Sequence, residues 1–242
     1  MQLVRFRLPG DERALSGTLA DGTIRSGEEE FPLDGVRLLA PCLPTKIVCV
    51  GRNYAAHAEE MGGEVPAEPL LFFKPSSAVI GPEDEIALPA GAEVHHEGEL
   101  AVVIGTRCRK VSADRADDVI LGYTCINDVT NRTAQAWEKN WVRAKGFDTS
   151  APLGPWIVPR EAIDGPFHVS LRVNGEVRQE GWTSSMIFPI GRLIETISAI
   201  MTLEPGDVIA TGTPSGVGVL APGDVVEVSI DGIGTLRNLV RS

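Results

Sequence analysis

Residues 94–104 read Val-His-His-Glu-Gly-Glu-Leu-Ala-Val-Val-Ile, two histidines and two acids leading into an unbroken apolar run. The run is rich in β-branched residues and reads as a buried strand. A strand turns alternate side chains to one face, so Glu97 and Glu99 point the same way with His95 beside them. Two carboxylates roughly 7 Å apart at the edge of a core repel each other and resist desolvation. Either basic partners or a divalent cation with oxygen ligands holds them, or the start of the strand is exposed and water solvates both.

Composition narrows the partners. A formal net charge of −11 over 242 residues repels phosphate backbones and anionic membranes, so neither nucleic acid nor a membrane is expected as a partner. An anionic substrate would need local cations. Cys42, Cys49, Cys108 and Cys125 form no C-x-x-C and no metal-ligand spacing, and read as scattered thiols in a reducing, cytoplasmic setting. The first residues lack the continuous apolar segment of a signal peptide, and no stretch of about 18 apolar residues exists.

Two units are expected. Residues 1–43 read as a small β unit, with period-2 alternation over residues 3–8 and a hairpin turning at Asp21-Gly22. The proline-bearing segment 40–44 marks the boundary, and residues 44–242 form the second, larger unit. There, Lys46–Gly51 reads as a short strand. Asn53 is placed to cap a helix over residues 54–61 that stops near Gly62-Gly63. On that helix His57 and Glu60 are three apart and share a face, the arrangement of a general base oriented by a carboxylate, or of two solvated surface residues. The glycine pair suits a mobile lid.

Further on, residues 121–130 read as a strand carrying Asp128 at its end, either a third carboxylate for the acidic pair or the cap of the next helix. Arg132 and Gln135 share a face of that helix. Lys145 reads as a buried counter-charge or a snorkelling lysine. Asn174-Gly175 signals a hairpin, and apolar residues at helical spacing from about 189 to 202 signal an amphipathic helix. The loop from Thr211 to Gly218 lacks the Gly-Lys-Ser/Thr of a P-loop but offers backbone N–H groups to an anion.

These blocks, in this order, resemble the fumarylacetoacetate hydrolase (FAH) family, in its bacterial acylpyruvase and 2-hydroxyhepta-2,4-diene-1,7-dioate isomerase-like branch. The resemblance runs from about Lys46 to the C-terminus. It rests on Val50-Gly51-Arg52-Asn53-Tyr54 with His57, Phe73-Lys74-Pro75, His95 to Leu100, Asn127 to Thr130, Ala144 to Asp148, Gly181 to Phe188, and Leu203 to Asp207 leading to Thr211-Gly212-Thr213-Pro214. It implies an α+β, β-rich fold, a mixed β-sandwich roll, around a Mg²⁺ (or Mn²⁺/Ca²⁺) site in a homodimer. It implies that Glu97, Glu99 and Asp128 ligate the cation and that Lys145 lies beside them. His57 with Glu60 would be the catalytic dyad, and Arg52, Arg132, Gln135 and Thr213 would contact substrate. Val50 stands where some members carry a fourth carboxylate, Gly146 replaces a common serine, and Asn131 replaces a small residue.

By the same resemblance the substrate is a small anionic 2-oxo acid. The first expectation is hydrolysis of a C–C bond in an acylpyruvate. The alternatives are an isomerase or decarboxylase of aromatic meta-cleavage catabolism, an oxaloacetate decarboxylase, or a non-catalytic metal- or ligand-binding protein.

Overall fold

The computed structural model describes residues 1–62 and 65–242. The chain opens with strands β1 (Gln2–Arg7), β2 (Leu15–Ala20), β3 (Thr23–Ser26), β4 (Glu29–Pro32) and β5 (Arg37–Leu39). Strand β6 (Ile47–Gly51), helix α1 (Ala55–Glu60) and strand β7 (Leu70–Lys74) follow. Next come β8 (Val79–Ile80), β9 (Glu85–Ala87), β10 (Val94–His96), β11 (Gly98–Ile104), β12 (Ile120–Asn127) and β13 (Thr130–Asn131). Two short helices, α2 (Arg132–Gln135) and α3 (Val142–Lys145), precede β14 (Ala151–Pro159), β15 (His168–Val173) and β16 (Glu176–Trp182). Helix α4 (Ile190–Ile200) leads to β17 (Val208–Ala210), β18 (Gly218–Val219), β19 (Val225–Ile230) and β20 (Gly234–Arg241).

Local chemistry sets the hairpins. Asp21 and Gly22 take φ of 50° and 78°, and Asn174 and Gly175 take 53° and 81°. Positive φ at both central residues is the twist that suits a two-residue hairpin. The fold is α+β and rich in strand, as expected. A 12-stranded sheet runs β4-β3-β2-β1-β14-β12-β11-β17-β6-β7, with β5 on β1 and β8 on β14. A five-stranded sheet, β16-β15-β19-β20-β9, packs across it. The main core fills the space between them, with Leu100 and Val102 from β11 meeting Leu171 from β15 and Val228 from β19. Helix α4 adds Leu193, Ile194 and Ile197 to this core.

The other face of the large sheet has its own core, built on Ala101 and Val103 of β11 with Ile47, Cys49, Val208 and Ala210. Strand β11 is therefore buried on both faces, which is why its sequence is continuously apolar and not alternating. The N-terminal strands keep a small core of Val4, Phe6, Leu19 and Ile24. Their sheet continues into the large one where Leu3 of β1 pairs with Ile157 of β14. Among the described residues, no helix is long and apolar enough to cross a membrane.

Candidate functional site

The strand expected over 94–104 is broken at Glu97. Strand β10 pairs with β13 and β18, whereas β11 pairs with β12 and β17. Side chains replace the ladder at the break: Glu97 N–H donates to Asn127 Oδ1 (3.0 Å) and Gly98 N–H to Gln179 Oε1 (3.0 Å). Gly98 suits the close packing there, because a Cβ would come 3.0 Å from Leu171 Cδ1 and 3.1 Å from its Cβ. The break lays Glu97, Glu99 and Asp128 together, one oxygen from each lying within 4.8 Å of the others. They are 4%, 2% and 0% exposed, so the reading of two solvated acids is excluded. Nor does Asp128 cap α2. Asn131 does so, accepting from Ala134 N–H at 3.0 Å.

Cations surround the triad unevenly. Lys145 Nζ donates to Glu97 Oε2 and Asp128 Oδ2, both at 2.8 Å. Arg132 Nη2 lies 2.6 Å from Glu97 Oε1. Lys74, wholly buried, lies 3.0 Å from Asp128 Oδ1. Burial alone would raise Glu97, but Lys145 and Arg132 outweigh it and hold Glu97 well below the usual carboxylate range. Glu99 goes the other way. Burial and the charges of Asp128 and Glu97 push it well above that range, and its only hydrogen bond among the described residues is from Gly212 N–H (2.7 Å). Asp128 Oδ1 is buried and receives no well-aligned hydrogen bond. A buried, repelling, under-satisfied set of carboxylate oxygens fits a hard divalent cation. Val50 adds no fourth carboxylate to the three.

Glu97 and Glu99 line a cavity of about 430 Å³ that also reaches Arg52, His57, Arg132, Gln135, Lys145 and Thr213. Every residue expected at the site except Glu60 and Asp128 thus faces one space, and those two touch residues that do. His57 Nδ1 meets Glu60 Oε2 at 3.1 Å, and Glu60 Oε1 accepts from Gly216 N–H at 2.9 Å. The helix read as a mobile lid is docked in this structure, with His57 5% exposed. Gly62 takes φ of 66° after the helix, and Gly63 lies outside the described residues. Arg132 Nη1 donates to Gln135 Oε1 at 2.7 Å. Two cavity residues, Arg52 and Trp141, hold left-handed φ of 57° and 56°. Such conformations cost bulky residues energy and concentrate at functional sites.

Four features differ from the sequence reading or escaped it. Asn53 does not cap α1. Its side chain donates to the carbonyls of Thr211 (2.7 Å) and Phe188 (3.1 Å) and accepts from Phe188 N–H, tying the α1 loop to the glycine-rich loop. The anions that loop binds are the protein's own: Gly212 N–H serves Glu99 and Gly216 N–H serves Glu60. Gln179 stands out only in the structure. Its Oε1 accepts from His96 Nδ1 and Gly98 N–H, and its Nε2 donates to Thr213 Oγ1 (2.6 Å) and the Pro214 carbonyl. Lys74 also escaped as a site residue, although Phe73-Lys74-Pro75 is one of the blocks that carry the family resemblance.

Comparison with known proteins follows the same line. The family model "Fumarylacetoacetate (FAA) hydrolase C-terminal" matches residues 46–241. Protein Rv2993c of Mycobacterium tuberculosis is 55% identical over 90% of this chain and 84% of its own length. Oxaloacetate tautomerase FAHD1, mitochondrial, of Bos taurus is 47% identical over 79% of this chain and 89% of its own. Among solved structures, 5-carboxymethyl-2-hydroxymuconate delta-isomerase from Mycobacterium smegmatis superposes with a TM-score of 0.91 at 49% identity, covering 100% of this chain and 98% of that one. Maleylpyruvate hydrolase from Sphingobium sp. SYK-6, in complex with manganese (II) ion and pyruvate, superposes with a TM-score of 0.85 at 33% identity, covering 100% and 99%.

Proposed function

The chain belongs to the fumarylacetoacetate hydrolase family, an enzyme family with hydrolase, isomerase and tautomerase members, and from that premise we propose that it is a divalent-metal-dependent enzyme moving a proton at C3 of a 2-oxo dicarboxylic acid, a keto–enol tautomerase or isomerase. One observation carries the reading: Glu97 and Glu99 of the carboxylate triad and His57 of the His57–Glu60 pair open onto the same cavity. Glu97, Glu99 and Asp128 would hold Mg²⁺ or Mn²⁺. When bound, the cation supplies Lewis-acid polarisation of a 2-oxo carboxylate, which acidifies the neighbouring C–H.

The chain's own groups do the rest. Glu60 fixes the His57 ring through Nδ1, which leaves Nε2 to take a proton and return it. Lys145 steadies Glu97 and Asp128 and presents its charge to developing oxyanion character. Arg132, oriented by Gln135, and Arg52 at the cavity wall bind carboxylates. Docked α1 keeps bulk water from the proton-transfer path.

The nearer relatives favour this reading, as the tautomerase and the delta-isomerase stand at 47% and 49% identity. Hydrolysis of an acylpyruvate C–C bond is the second reading, favoured by the likeness to a maleylpyruvate hydrolase. There His57 would deprotonate a water instead of carbon. A product screen of the Mn²⁺-loaded protein against oxaloacetate, acylpyruvates and 2-hydroxyhepta-2,4-diene-1,7-dioate separates them. Tautomer or double-bond exchange without C–C cleavage supports the first reading. Pyruvate release from acylpyruvates supports the second. No turnover of any of them overturns both.

A further inference from the structure

Lys74 is a wholly buried charged group that the chemistry above leaves idle. It ends β7, wholly shielded from solvent, and its ammonium sits behind the carboxylate triad. Nζ donates to the carbonyls of Ser150 (2.7 Å), Lys145 (2.8 Å) and Val129 (3.0 Å). An ammonium has three protons, and these three carbonyls take them all. The fourth neighbour, Asp128 Oδ1 at 3.0 Å, shares the ammonium's charge, and that buried oxygen has no well-aligned donor of its own.

The three carbonyls are not arbitrary. Val129 follows Asp128 in the chain, Lys145 is the residue whose own ammonium bridges Glu97 and Asp128, and Ser150 reinforces it by donating Oγ to the Lys145 carbonyl (2.9 Å). We infer that Lys74 is the positioning residue of this centre: it fixes the backbone at Asp128 and Lys145 from one point and balances the triad's charge while leaving Asp128 Oδ1 open to a cation. Lys145 differs, because its protons occupy the carboxylate oxygens it touches. The inference rests on the reading of the triad as a metal site. It adds that the ammonium of Lys74 sets the site's affinity. Partners that orient metal ligands change affinity or activity by roughly 10- to 100-fold when removed.

The test uses Lys74→Met and Lys74→Ala, with Mn²⁺ affinity by calorimetry beside melting temperature, kcat and KM. Lys74→Met should weaken Mn²⁺ binding by about 10-fold or more and lower kcat with KM little changed, because Arg132 and Gln135 keep their places. Lys74→Ala removes Cγ to Nζ, and n-propylammonium supplies the same atoms. It should restore both Mn²⁺ affinity and melting temperature at concentrations where tetramethylammonium does neither. A fall in melting temperature with Mn²⁺ affinity and kcat unchanged overturns the inference. So does Lys74→Ala that stays unfolded or metal-blind with the amine present. The Mn²⁺ readout needs no substrate, so a wild type inactive on every 2-oxo acid sinks the functional reading while this one is judged separately.

Discussion

Glu99 is the least compensated member of the triad. The lysines and Arg132 spend their contacts on Glu97 and Asp128, and Glu99 has one backbone N–H. Burial and its acidic neighbours raise its pKa. A raised carboxyl contributes stability that is present below the ordinary carboxylate range and lost as pH climbs through the raised value. The metal-free protein should therefore lose stability as pH rises above the ordinary carboxylate range, and Mn²⁺ should stabilise it by an amount that grows over the same span. Melting curves of chelator-treated protein with and without Mn²⁺ measure this, and a Mn²⁺ effect flat across that span would speak against Glu99 as a ligand. Glu99→Ala should abolish the binding itself. At His57 the expectation is kinetic: His57→Ala lowers kcat by about 10²-fold or more with Mn²⁺ affinity intact, and Glu60→Gln gives a smaller loss because the imidazole remains. Unchanged turnover in His57→Ala would remove the dyad from the mechanism. The acids and the dyad were legible in the sequence because strand and helix periods put Glu97 with Glu99 and His57 with Glu60. Lys74 was not, because its partners lie 55, 71 and 76 residues away and no local pattern announces them.

At the scale of elements, turns and amphipathic periods were legible and strand partners were not. Asp21-Gly22 and Asn174-Gly175 carry their conformation in two residues, and α4 shows its buried stripe in its spacing. The pairing of β11 with β17, and of β17 in parallel with β6, joins segments more than 100 residues apart and follows from the assembled sheet. Asn53 shows how a tertiary partner defeats a local one, since carbonyls across the fold claimed the side chain that a helix end would have used. Asp207 is the corresponding clamp between β17 and the segment entering β6. Its carboxylate accepts from Thr45 N–H and Oγ, from Lys46 N–H and Nζ, and from Glu204 N–H. Burial opposes its ionisation, but these donors prevail and lower its pKa. The stability it contributes is present above the ordinary Asp range and lost as pH falls through the lowered value. Asp207→Asn should cost roughly 2–3 kcal/mol in urea unfolding at neutral pH, and the difference from wild type should shrink in acid. A variant as stable as wild type at neutral pH would show that the clamp contributes nothing.

At the scale of the molecule, the sheets and the short helices bring together residues from positions 50 to 213 around one cavity. Resemblance to the family also suggests pairing of two copies, and we propose a homodimer. Light scattering should give about twice the 25.9 kDa of one chain, and a mass of one chain at micromolar concentration would refute it. The central claim is that carboxylate triad and His57 dyad act together on C3 of a 2-oxo dicarboxylate. The direct measurement is the decay of the enol absorbance of oxaloacetate on its way to the keto form. Metal-loaded wild type should outpace buffer containing the same Mn²⁺. Chelation and Glu99→Ala should each remove the acceleration, and His57→Ala should reduce it by about 10²-fold or more. A decay no faster than that in the Mn²⁺ buffer alone would contradict the account.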